Sequence, residues 1–172
     1  MRLLPLAAVL TSLLLGSCGY HVAGKTNMLP ASVHTIAVVA FGNVSTQYKV
    51  ADALTKAVNR ELIERTHYRI TADPSTADAV LTGNVSNFFS GVTTFDPVTN
   101  RASGVQATVQ MGITLRERTT GKVLFARPNY ELHERYEISV DPKLYFDESS
   151  VAMDRLARDM ARSIVSAILE NF

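Results

Sequence analysis

Gly19-Tyr20-His21-Val22-Ala23-Gly24-Lys25-Thr26 has the Gly-x4-Gly-Lys-Thr spacing of a phosphate-binding loop. Such a loop works only between a buried strand and a helix, where backbone N–H groups cradle the phosphates and a separate carboxylate serves magnesium. Here Asn27-Met28-Leu29-Pro30 follows, and the proline disfavours helix at Leu29. The match is rejected as a nucleotide site. The 4 histidines, His21, His34, His67 and His133, fall in separate segments with no pair on one helix face, so no metal centre is expected. There is no Gly-x-Ser-x-Gly elbow for a nucleophilic serine. Asp147-Glu148 precedes an apparent helix, where acids favour the positive end of the dipole. The chain reads as non-enzymatic, with no catalytic residue, no metal and no cofactor.

Chemistry of another kind is written at Leu15-Gly16-Ser17-Cys18. Behind Arg2, the run from Leu3 to Leu15 is almost wholly apolar, the pattern of a secretory signal peptide. It is shorter than the ~20 residues that a helix needs to cross a bilayer. Leucine three positions before a cysteine, with small residues between, resembles the bacterial lipobox. There the thiol is linked to diacylglycerol as a thioether and the cysteine becomes the mature N-terminus. Cys18 is therefore the expected lipidation site, and acyl chains at about 0.8 kcal/mol per buried CH₂ would hold the chain on a membrane. Gly19 stands where an aspartate commonly marks retention at the inner membrane, which favours the periplasmic side of the outer membrane. Cys18 is the single cysteine, so lipidation leaves no thiol for a disulfide, and stability must come from a core.

Removing residues 1–17 takes Arg2 from the 17 basic residues and nothing from the 16 acidic ones, so the remaining side chains balance. A neutral chain lacks the basic footprint of a nucleic-acid binder.

The elements that must position any binding residues follow from periodicity. A polar lead from Gly19 to Ser32, broken by Gly24, Asn27 and Pro30, ties the lipid to the fold. Thr35 to Phe41 is a continuous apolar run, as in a central strand. Tyr48 to Thr66 places Val50, Leu54, Val58 and Leu62 at helical spacing. Ala79 to Phe89 reads as a strand. In the next, Val105, Ala107, Val109, Met111, Ile113 and Leu115 alternate with Gln106, Thr108, Gln110, Gly112, Thr114 and Arg116, which demands one buried face and one wet face. Thr119 to Lys122 supplies a hairpin turn, and Val123 to Ile138 returns as a strand that Arg127-Pro128 bends or confines to an edge. Ser150 to Asn171 is a helix with a stripe of Met153, Leu156, Ala157, Met160, Ile164, Ala167 and Ile168.

These elements predict an α+β fold of order βαβββα: a two-layer sandwich, with a four-stranded mixed sheet and two helices packed on one face. The domain organisation expected is a signal peptide over 1–17, a lipidated N-terminus and tether over 18–34, and a single periplasmic domain over 35–172. The uncovered sheet face must meet water or a partner. Between the second and third strands, the loop Gly91 to Arg101 carries apolar Val92 and Phe95 and one cation, Arg101. A guanidinium engages two phosphate oxygens together, but Arg101 also reads as a solvated loop residue. Lys143, ahead of the last helix, has the same two readings.

Cys18-Gly19-Tyr20-His21-Val22, followed by Leu29-Pro30 and the strand from Thr35, resembles the LptE family of lipopolysaccharide-assembly outer-membrane lipoproteins. The order of elements fits that family over essentially the whole mature chain. The resemblance implies a protein that plugs the lumen of the LptD-type β-barrel, helps it assemble, and takes part in inserting lipopolysaccharide into the outer leaflet. By position, Arg101 and Lys143 match the family's basic residues that contact lipopolysaccharide phosphates. A second reading, of another class, is a periplasmic lipoprotein that oligomerises in a secretion or envelope-integrity complex.

Overall fold

The computed structural model describes residues 29–137 and 145–170. In chain order the elements are β1 (Thr35–Val38), β2 (Gly42–Asn43), α1 (Val50–Arg65), β3 (Arg69–Thr71), β4 (Ala79–Phe95), β5 (Ala102–Glu117), β6 (Val123–Glu137) and α2 (Tyr145–Glu170). The sheet order is β3-β1-β4-β5-β6, with β2 also on β4. β1 pairs in parallel with β3 and β4, β2 in parallel with β4, and the β4-β5-β6 meander is antiparallel.

The α+β class and the mixed sheet stand as expected, but the sheet has six strands rather than four. The additions are β2 and β3, of 2 and 3 residues, too short to carry a period of two. The apolar run from Thr35 breaks after Val38, and Phe41 turns inward to lie over Gly83.

Alternation in β5 is reproduced residue by residue: Val105, Ala107, Val109, Met111, Ile113 and Leu115 are all buried. All but Val105 join Val50, Leu54, Val58 and Leu62 of α1 and Leu156, Met160, Ile164 and Ile168 of α2 in one apolar cluster. Both helices therefore cover the same sheet face. Leu29 and Val33, within the lead segment, are buried in that cluster as well. Among the described residues no polar side chain is buried, so this core gains its stability from apolar area removed from water, at roughly 25 cal/mol per Å².

β6 lies at the sheet edge. Its pairing with β5 slips by a residue where Pro128 and Asn129 face Gly112, which places the proline, with no N–H to donate, at a bulge. The β5–β6 turn is closed by Gly121 N donating to Glu117 O at 3.0 Å, with Gly121 at φ 71°. That is the left-handed region that glycine enters without strain.

An acid clamps the start of the sheet. Asp78 Oδ2 accepts from the backbone N–H of His34 at 2.9 Å and of Thr35 at 2.8 Å. Asp78 N donates back to Thr35 O at 2.9 Å. These bonds, that of His34 foremost, hold the Asp78 carboxyl below its ordinary range. Ser32 Oγ donates to Glu117 Oε1 at 3.1 Å, fixing the lead segment beneath the same end of the sheet.

Candidate docking face and hairpin tip

The sheet face opposite the helices is uncovered among the described residues. It carries Thr82 and Asn84 of β4, the even-numbered residues Gln106 to Arg116 of β5, and their partners on β6. Cross-strand neighbours form a polar ladder. Arg135 Nε donates to Gln106 Oε1 at 3.3 Å, Thr108 Oγ1 lies 3.0 Å from His133 Nδ1, and Gln110 Nε2 donates to Glu131 Oε2 at 3.1 Å. His133 Nε2 also lies 3.1 Å from Glu131 Oε1. These groups are satisfied by one another and by water, so they can exchange water for a polar partner at small cost.

A bulge decides what else this face shows. The register passes from Val85 opposite Met111 to Asn87 opposite Gln110, leaving Ser86 as the extra residue. The inward phase of β4 thereby moves from Ala79, Leu81 and Val85 to Phe88, which faces Val109 and packs on the core. Phe89 is paired with Thr108 and is turned onto the polar face, 54% exposed. Sequence reasoning missed Phe89. The available signal was the adjacent pair Phe88-Phe89: a strand with one wet face must expose one of two neighbouring aromatics.

The segment Gly91 to Arg101, expected to be a loop, is strand over its first five residues, Gly91 to Phe95. β4 runs on to Phe95 because β5 begins at Ala102 and pairs with it throughout. The remaining turn is built by Asp96, whose Oδ1 accepts from Val98 N, Thr99 N and Thr99 Oγ1 at 3.1, 2.7 and 2.7 Å. The Thr99 bonds are the main reason its carboxyl is held low. Asp96 N donates to Arg101 O at 2.8 Å, and Asn100 takes φ 53° to complete the turn.

Arg101 thus stands at the foot of a hydrogen-bonded turn, exposed, and makes no ion pair among the described residues. Val92, Phe95 and Val98, at 47%, 59% and 89% exposure, share this end of the molecule. The structure therefore brings the two apolar suspects, Val92 and Phe95, to the same hairpin end as the one cation. Cys18 and Lys143 lie outside the described residues. Among the described residues no three metal-ligating side chains gather, and no helix is long and apolar enough to cross a membrane.

Solved structures align with this chain over most of its length. A protein from Xanthomonas campestris aligns at 14% identity over 83% of this chain and 90% of its own, with a TM-score of 0.51. An uncharacterized lipoprotein B from Nitrosomonas europaea aligns at 8% identity over 79% and 83%, with a TM-score of 0.50. Rare lipoprotein B from Shewanella oneidensis aligns at 12% identity over 78% and 95%, at 0.49. At these identities the first two speak for the architecture alone. No curated protein matches the sequence closely enough to add to this. The sequence model of the lipopolysaccharide-assembly family matches residues 33–168, from the lead into β1 to the last buried turn of α2, and this chain belongs to the LptE family.

Proposed function

We propose that this chain is a non-enzymatic outer-membrane lipoprotein, anchored on the periplasmic side through Cys18. In this reading it plugs and helps assemble an LptD-type β-barrel and takes part in inserting lipopolysaccharide into the outer leaflet. Residues 1–17 serve as signal peptide, 18–34 as lipidated tether and 35–172 as the domain.

The observation that carries the reading is the contrast between the two sheet faces. One is sealed by both helices over an apolar core, and the other is a polar, hydrogen-bonding surface of Gln, Thr and Asn that also carries Arg116, Glu131, His133 and Arg135, with Phe89 set in it. A polar barrel lumen is matched by such a surface, because its groups keep partners whether they face water or a polar wall. Family membership supplies the lipopolysaccharide-assembly role. The exposed hairpin tip adds Arg101 for phosphate oxygens and Val92, Phe95 and Val98 for apolar contact, with Lys143 as a second cation ahead of α2.

Photo-crosslinking tests the placement. A crosslinker at Thr108 or Thr114, on the open face, is expected to capture the barrel in whole cells. One at Arg155 or Arg158, exposed on α2, is expected to capture it far less. Equal capture from both faces, or capture from α2 alone, contradicts the reading.

A further inference from the structure

The upper half of β4 has an undefended edge. β1 covers β4 at Ala79 to Leu81, and β2 covers it at Asn84 and Val85. From Asn87 onward, β4 is paired only with β5 among the described residues. Phe88 N turns away from β5 and donates to the side-chain oxygen of Asn87 at 2.9 Å. Antiparallel alternation then sends the N–H groups of Ser90 and Val92 outward too, until the register shift after Val92.

Sheets normally blunt an exposed edge with charge, proline or a bulge. The β6 edge has all three, in Pro128, its bulge, and Glu131, Glu134, Arg135 and Glu137. β4 has 17 residues without a single charge or proline. Its free stretch, Asn87-Phe88-Phe89-Ser90-Gly91-Val92, is the uncharged, β-prone kind of segment that pairs readily with another strand.

We propose that the Asn87–Val92 edge of β4 takes up an extended, uncharged segment of the barrel partner as an added strand. This rests on the plug reading above and says how the two chains engage. The edge offers no charge, so a charged segment would lose hydration there without compensation. Phe89 projects onto the open face beside this edge, so an added strand continues that interface. The wall strands of a closed barrel are paired on both sides, so the segment comes from a loop or an internal extension of the barrel chain. Main-chain hydrogen bonds supply the affinity, as in strand addition generally.

Ser90 gives the test, since it is exposed and its outward N–H meets no other strand among the described residues. Ser90→Pro removes that donor at an edge position where proline is tolerated, and Ser90→Thr keeps it. With the full-length tagged chain in native outer membranes, Ser90→Pro is expected to lower barrel recovery tenfold or more, while Ser90→Thr recovers it like the parent. If the proline unfolds the domain by circular dichroism, Ser90→Lys must produce the same loss by placing a charge on the edge. Recovery at the parent level with folded Ser90→Pro, or with Ser90→Lys, overturns the edge proposal and leaves the plug reading standing. A parent chain that recovers no barrel refutes both. Pairing of tagged with untagged copies through this edge overturns the assignment of its occupant.

Discussion

Gly83 sits on the inward face of β4 beneath the ring of Phe41, and a Cβ built there meets Phe41 Cδ1 and Cγ at 2.9 Å each. Those are ring atoms close to the backbone, not the free end of a flexible chain, and Phe41 is itself only 7% exposed. Gly83→Ala therefore sets two effects of opposite sign against each other. Alanine in a strand interior gains about 0.5–1 kcal/mol over glycine through chain entropy. Forcing an extra carbon into a packed site costs about 1–3 kcal/mol. The overlap decides the sign, and the expected net loss is roughly 0.5–2 kcal/mol, or several degrees in melting temperature for a domain of this size. Urea unfolding of the mature chain with Cys18 replaced by serine measures it. Phe41→Leu removes the clashing ring, so Gly83→Ala placed on that background is expected to be neutral or favourable, with a coupling of about 1 kcal/mol or more in the double-mutant cycle. A Gly83→Ala protein as stable as the parent, or a cycle with no coupling, refutes the packing argument.

Three further outcomes are expected. Because the Asp78 carboxyl is held low by the His34 and Thr35 N–H groups, its stabilisation is complete above the unfolded carboxylate range and is lost as pH falls through the lower folded value. Asp78→Ala is thus expected to lower the unfolding midpoint at pH 7, with the difference from the parent closing in acid; a pH-independent difference contradicts this. Arg101→Glu is expected to weaken lipopolysaccharide binding by roughly tenfold, the lower end of what a charge-assisted contact contributes, with circular dichroism unchanged. Unaltered affinity returns Arg101 to the role of a solvated turn residue. Mass spectrometry of the mature protein is expected to find diacylglycerol on Cys18, and an unmodified thiol there removes the anchor from the account.

Much of the fold was legible because its strongest signals are burial patterns. The strict alternation of β5 could be satisfied only by one buried and one wet face, and the stripes of α1 and α2 needed a common layer to cover them. Pro128 correctly marked β6 as an edge or bent strand. The failures lie where partners, not patterns, decide. β2 and β3 exist because β4 and β1 offer them backbone hydrogen bonds, and 2 or 3 residues carry no period of their own. The end of β4 looked like a loop because its residues alternate between two exposed faces, so composition gave no sign of the pairing with β5. The Ser86 bulge, which moves Phe89 onto the polar face, has no sequence signature beyond the adjacent phenylalanines. At the tip, Arg101 was visible as the one cation of its segment. The turn below it is closed by Asp96, whose Oδ1 accepts from three groups; these bonds depend on the fold of the chain and not on the residue types alone.

The most direct test of the central claim is the composition of the native complex. The chain is tagged at its C-terminus, outer membranes are solubilised gently, and whatever co-elutes in stoichiometric amount is identified. A large β-barrel protein at one to one is the expected result. A homo-oligomer free of any barrel protein would contradict it and favour the assembling-lipoprotein reading instead.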